Sequence, residues 1–150
     1  MHSQKLALSL CVVLLLVAAG CARLGDNGGT AGTTGTTGTT TVKVTDVKLG
    51  RAIGGDKAIS DSTDTFRPND TIYASVTTDG SAPGATLRAR WTFEDGQTVD
   101  ESSRTIAPNN RERTEFHISK PNGWPAGKYK LEVFLNDQSV ETKTFEVQAR

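Results

Sequence analysis

The chain has 150 residues with 17 basic and 17 acidic side chains, so its formal net charge is zero. A neutral chain with no block of like charge lacks the electrostatic footprint of a nucleic-acid binder, or of a protein held to lipid headgroups by charge alone. Its two cysteines, Cys11 and Cys21, are too few for a disulfide framework, and the histidine-cysteine spacing of a zinc site is absent.

At the start of the chain, Lys5 precedes fourteen residues, Leu6 to Ala19, that are apolar except for Ser9 and Cys11. A helix of that length rises about 1.5 Å per residue and reaches ~21 Å, short of the ~30 Å hydrocarbon core that a permanent span must cross. Residues 1–20 therefore read as a secretory signal that is removed. The small residues Ala18, Ala19 and Gly20 suit a signal peptidase cleft, with the cut expected between Gly20 and Cys21. Cys21 then has two open fates, a bare thiol or an acylated N-terminus.

The run Leu16-Val17-Ala18-Ala19-Gly20-Cys21 resembles the lipobox of bacterial lipoproteins, whose pattern is Leu, a small residue, Gly or Ala, then Cys. Ala18 departs from it where Leu is usual. The resemblance implies that Cys21 carries a diacylglyceryl thioether and an amide-linked acyl chain. At ~0.8 kcal/mol per buried methylene, several such chains anchor a protein to the lipid bilayer almost irreversibly. Ala22 follows where inner-membrane lipoproteins of enteric-type bacteria often carry Asp, so the implied address is the bacterial cell envelope, at the outer membrane facing the periplasm. Loss of residues 1–20 leaves 16 basic and 17 acidic residues and no pair of cysteines for a disulfide.

Residues 21–41 hold the cysteine and a low-complexity stretch, Gly28 to Thr41, in which Gly-Thr-Thr occurs three times. Glycine at every third position matches collagen formally, but no proline supports that helix and the run is short. As a flexible tether, the twenty residues from Ala22 to Thr41 have a typical reach of about 25 Å.

Residues 42–150 form one expected domain, with period-two alternation in many places and no sustained helical period. Val42 and Val44 lie on one face and Val47 and Leu49 on the other, which predicts a break or bulge near Thr45 and Asp46, where the strand could change sheets. Gly50 to Asn69 reads as a polar connection with Ile53, Ile59 and Phe66 as anchors. Ile72, Ala74 and Val76 make an inward strand, ended by the turn residues Thr78 to Gly84. Leu87, Ala89, Trp91 and Phe93 alternate with Arg88, Arg90, Thr92 and Glu94, and Asp95-Gly96 supplies a tight hairpin. Its second arm, Gln97 to Ile106, is poor in apolar residues, as an edge strand can be. Thr114, Phe116 and Ile118 form the next inward face. Tyr129, Leu131, Val133 and Leu135 follow, Asn136 and Asp137 turn the chain, and Phe145 and Val147 close the last strand, for about seven strands in all.

A tryptophan, Trp91, in the third of these strands and a tyrosine, Tyr129, opening the sixth resemble the core Trp and the tyrosine corner of immunoglobulin-like and fibronectin-type domains. The fold class expected for residues 42–150 is all-β, a single immunoglobulin-like antiparallel β-sandwich. Leu131 stands where antibody domains carry their second cysteine, which points to the cysteine-free branches. Alternation does not fix strand order, so another sandwich or a small barrel remains an alternative.

The chemical inventory is thin. His117 is the only histidine beyond the signal; it lies between Phe116 and Ile118, is expected to face water, and has no evident partner. Asp100 and Glu101 are neighbours that would face opposite ways on a strand, unlike a paired acid and base. Asp56, Asp61, Asp64 and Asp70 gather in one connection and could offer oxygen ligands to Ca²⁺, without the spacing of an EF-hand; turn-forming and solvated acids are the other reading. The chain is expected to be no enzyme and to need no cofactor or metal.

Trp124, in Asn122-Gly123-Trp124-Pro125, is the candidate binding residue: exposed in its loop it would anchor a partner, while folded back it would cover the end of the core. Arg88 and Arg90, with Arg111 and Arg113, could form a basic surface for anionic glycans or could be ordinary solvated faces. The functional expectation is a membrane-anchored, non-catalytic binding or adaptor module whose partner is an envelope protein or a glycan. A structural spacer or assembly subunit is the alternative, as is an inhibitor of envelope hydrolases using a rigid loop at Gly123 to Ala126. No nucleic-acid partner is expected.

Overall fold

The computed structural model describes residues 41–149. Gly20, Cys21, the signal and the tether before Thr41 lie outside the described residues. Nine strands follow in chain order: β1 (Lys43–Ile53), β2 (Ile59–Ser62), β3 (Thr65–Phe66), β4 (Ile72–Asp79), β5 (Ala85–Phe93), β6 (Gln97–Ile106), β7 (Glu112–Ile118), β8 (Gly127–Leu135) and β9 (Gln138–Val147). They build two sheets, one of order β2-β1-β4-β7 and one of order β3-β9-β8-β5-β6. All neighbours are antiparallel except β3 and β9, which pair in parallel at Thr65–Glu146 and Phe66–Val147. The hairpins β1–β2, β5–β6 and β8–β9 each stay in one sheet while the other connections cross between the two, which is the sandwich expected, immunoglobulin-like and all-β.

The nine strands exceed the expected seven because the connection from Gly50 to Asn69 contains two of them. β2 turns back on β1, with Gly50 opposite Ser62 and Ile53 opposite Ile59. β3 then crosses to the other sheet. The change of sheet therefore occurs between Ser62 and Thr65, not near Thr45 and Asp46. At Thr45 the register slips by one residue, with Val44 opposite Thr78 and Asp46 opposite Thr77. That bulge inverts the side-chain parity, so Val42, Val47 and Leu49 are all buried and Val44 packs against them. The chain stays in one sheet.

The strand faces read as inward are buried, with Phe93 at the end of its face only partly so. Ile72, Ala74, Val76, Leu87, Ala89, Trp91, Leu131, Val133 and Val147 are wholly inaccessible. Trp91 and Tyr129 sit in one aromatic column: Tyr129 stacks on Phe145 at 5.3 Å between centroids, and Trp91 meets the same ring edge to face at 5.8 Å. Aromatic pairs in these geometries contribute roughly 0.5–1.5 kcal/mol beyond the area they bury. The Tyr129 hydroxyl donates to the carbonyl of Pro125 at 2.8 Å, four residues upstream, the geometry of a tyrosine corner. β5 and β6 are joined through Glu94, Asp95 and Gly96, with Gly96 at φ 96° and its N–H donating to Phe93. β8 and β9 are joined by Asn136 and Asp137, both at positive φ, the two-residue mirror turn that matches sheet twist.

Candidate functional site

The strand registers define two poles. Thr41 enters at the first, where its N–H donates to the Ser81 carbonyl and Lys43 pairs with Asp79. Ser81 bridges to Asn109 there, and the Asn136 N–H donates to Thr86. β4 then runs from Asp79 back to Ile72, roughly 23 Å at ~3.3 Å per residue, to the second pole. There the loops Arg67 to Asp70, Glu94 to Gly96 and Lys120 to Ala126 meet the starts of β4 and β8.

Trp124 closes this second pole from inside. It is 6% exposed, and its indole N–H donates to the Asp70 carbonyl at 3.2 Å. Its backbone N–H donates to the Pro68 carbonyl at 2.7 Å, and its ring meets Tyr129 edge to face. Gly123 adopts φ 77° beside Pro68 and Asn69, a conformation that presses the loop onto its neighbour. The ring is therefore a lid on the core and not an exposed anchor. For the same reason Gly123 to Ala126 does not present its largest side chain: Trp124 is inside, and what the segment offers outward is Pro125 and Ala126.

The arginines do not form a basic surface. Arg88 pairs with Glu101 at 3.2 Å and with Asp137 at 3.6 Å, and Arg90 pairs with Glu132. Arg111 pairs with Asp79 and Arg113 with Asp56, on the other sheet. Arg88 and Arg90 also lie over the ring of Phe134, at 3.8 and 5.0 Å. Phe134 points out of the five-stranded sheet, yet those two guanidiniums leave it 7% exposed. Glu132 accepts from Ser139 at 2.7 Å and from Arg90, and these hydrogen bonds hold its carboxyl below the ordinary value. Phe134 alternates with the inward Val133 and Leu135, and the cross-strand register Arg88–Phe134 explains why it is covered.

His117 faces water as expected, but it has a partner: its Nδ1 lies 3.0 Å from a Glu115 carboxylate oxygen, and its ring is tilted against Tyr73. The four aspartates of the first connection do not converge. Asp56 bonds the Ala58 N–H and Arg113, Asp61 bonds Arg51, Asp64 bonds the Thr65 hydroxyl, and Asp70 caps the Arg67 N–H. Each is engaged by a turn or an ion pair, and no three metal-ligating side chains come together among the described residues.

Beside the second pole, an open cleft of about 420 Å³ lies across the outer side of the five-stranded sheet. Asp64, Glu94 and Glu146 face Lys128 and Lys130 around it, with Thr65, Thr92 and Thr144 supplying hydroxyls. The Tyr129 phenol below is held above its ordinary value, first by burial and then by the Glu94 charge. The cleft mixes polar and apolar surface and carries one more carboxylate than ammonium, and its hydroxyls and charges suit hydrogen bonding. Sequence reasoning missed it because its lining comes from four strands and a turn far apart in the chain.

No family model matches the chain, and no curated protein matches it. Among solved structures it is similar to an immunoglobulin-like protein from Pseudomonas aeruginosa, at 17% identity and a TM-score of 0.47, covering 71% of this chain and 96% of that one. It is also similar to an alkylpurine DNA glycosylase of Pseudomonas fluorescens solved with abasic-site DNA, at 14% identity and a TM-score of 0.45. That match covers 72% of this chain, which spans only 30% of the glycosylase. A third similarity is to the CARDB domain of a Pyrococcus furiosus protein in complex with di-metal ions, at 16% identity and a TM-score of 0.38, covering 70% and 88% of the two chains. None of these likenesses assigns an activity, a ligand or a partner to this chain.

Proposed function

We propose that this is a lipid-anchored protein of the bacterial cell envelope whose sandwich serves as a non-catalytic binding or adaptor module. Cys21 is its anchor and the pole opposite Thr41 is its partner-facing end. The observation that carries the reading is the placement of Thr41 at one pole, with the loops around Asn69, Asp95 and Asn122 gathered at the other. A tether entering at Thr41 leaves the second pole free to meet an envelope protein or a glycan. The cleft beside that pole adds hydroxyl, ammonium and carboxylate groups able to read a hydrogen-bonding ligand. Functional sites are grafted onto folds, so the sandwich itself does not decide between partners.

Two measurements test the reading. Metabolic labelling with a clickable fatty acid should mark the wild-type chain and not Cys21→Ser; equal labelling would remove the anchor. Photo-crosslinking residues placed at Asp95 or Asn122 should then capture a partner in intact cells, while the same residue at Asp137, on the first pole, should not. Equal capture from both poles would overturn the assignment of the second pole.

A further inference from the structure

The outer side of β6 is the longest strand edge left open. β6 spans ten residues, pairs only with β5 and ends the five-stranded sheet. Such an edge carries unpaired backbone donors and acceptors and is a template for another strand unless the protein guards it. The opposite edge of that sheet is partly covered by β3, and the four-stranded sheet ends on the four-residue β2 and on β7.

Two charges on β6, Asp100 and Arg104, bear on this edge. Arg88, Arg90, Arg111 and Arg113 each have a carboxylate partner within the chain, whereas Asp100 and Arg104 form no ion pair among the described residues. Both are exposed, and their register against β5, Asp100 with Trp91 and Arg104 with Leu87, puts them on one face with Ser102 between them. The spacing is self-complementary. In an antiparallel pair of two β6 strands centred on Ser102, Asp100 of each copy lies opposite Arg104 of the other. On the regular stretch Glu101 then lies opposite Ser103, while Val99, the extra residue of a bulge in the pairing with β5, ends that register. A parallel pairing in register would instead set Asp100 on Asp100 and Arg104 on Arg104, and like charges directly opposite destabilise a sheet. The same two charges thus reject other strands and other registers while matching a second copy.

We propose that β6 is a homodimer edge: two copies of this chain pair β6 to β6, antiparallel about a two-fold axis through Ser102, and join their five-stranded sheets into one. The interface is isologous, and the two Asp100–Arg104 pairs fix its register.

The test uses the purified full chain with a single added cysteine. Residues directly opposite in an antiparallel pair bring their Cβ atoms about 4.5–5.5 Å apart, close to disulfide reach. Mild oxidation of Ser102→Cys should therefore give a covalent dimer on a non-reducing gel, well above the wild-type background from Cys11 and Cys21. Ser103→Cys, whose side chain leaves the other face of the strand, should stay at that background. Adding Asp100→Arg to Ser102→Cys should cut the dimer about tenfold or more, and adding Arg104→Asp as well, which swaps the charges, should restore it. Equal thermal midpoints for the variants separate loss of pairing from loss of fold. Background-level crosslinking at Ser102→Cys overturns the proposal. So do equal yields from Ser103→Cys, indifference to charge reversal, or a product of mass other than twice the chain.

Discussion

The outer faces of the two sheets solve the same problem by different means. The outer face of the five-stranded sheet hides an aromatic ring, Phe134, beneath Arg88 and Arg90, and the arginines are held in turn by Glu101, Asp137 and Glu132. The outer face of the four-stranded sheet hides hydroxyls: Ser75 and Thr77 of β4 are buried although they point away from the core. There the cover is main chain. The hairpin between β1 and β2 curls back, the Lys57 carbonyl accepts from the Ser75 hydroxyl at 2.6 Å, and Asp56 reaches Arg113 on β7. Side-chain cover is assembled from long flexible groups that lose rotamer entropy when held, whereas main-chain cover depends on a backbone path that one residue can block. The first should yield gradually to substitution and the second abruptly.

The sharpest break is expected at Gly50. A Cβ there would meet the carbonyl of Asp61 and the side chain of Ile59 on the returning strand. Gly50→Ala should cost about 2–4 kcal/mol in denaturant unfolding and should expose the β4 amides to hydrogen exchange. An unchanged midpoint would mean that the curl is not held by this close approach. On the other face, Phe134→Ala removes the ring on which two guanidiniums rest and should cost about 1–3 kcal/mol, less than in a closed core, because the arginines keep their carboxylates. Ser75→Ala tests the hairpin by a single hydrogen bond and should cost about 1 kcal/mol, since the Lys57 carbonyl loses that donor.

The smallest effect concerns acidity. Glu132 titrates below its ordinary value because Ser139 and Arg90 donate to its charged form. A carboxyl lowered on folding adds stability above its unfolded pKa and loses it as pH falls through the folded one. The contribution should therefore be full near neutrality and fade below about pH 4.5. Glu132→Gln should flatten that part of the stability-pH curve, and a curve of unchanged shape would remove this role. Tyr129 has the opposite sign. Its raised phenol favours the neutral form when folded, so its contribution holds below pH 10 and is lost as pH rises beyond it.

Alternation was enough to place the core of β4, β5, β7 and β8, because a strand that buries one face must repeat at period two. It also located the exposed arm β6 and the turns at Gly96 and at Asn136 and Asp137, where residue type and positive φ coincide. The segment from Gly50 to Asn69 was opaque for the complementary reason. β2 is four residues and β3 two, too short to show a period, and the pairing of β3 depends on a strand at the far end of the chain. The candidate site was less legible still. Trp124 stands in a polar loop either way, and its fate was decided by two carbonyls, of Pro68 and Asp70, that fold brings to it.

The sequence by itself determined the all-β class, the inward faces and the lipobox-like run at Cys21, since these rest on local pattern and residue chemistry. Only the tertiary structure decided that Trp124 is a lid, that the arginines are neutralised and that the aspartates are dispersed. Those outcomes depend on which strands become neighbours. Cross-strand register is fixed by packing two sheets over one core, and no local pattern encodes it.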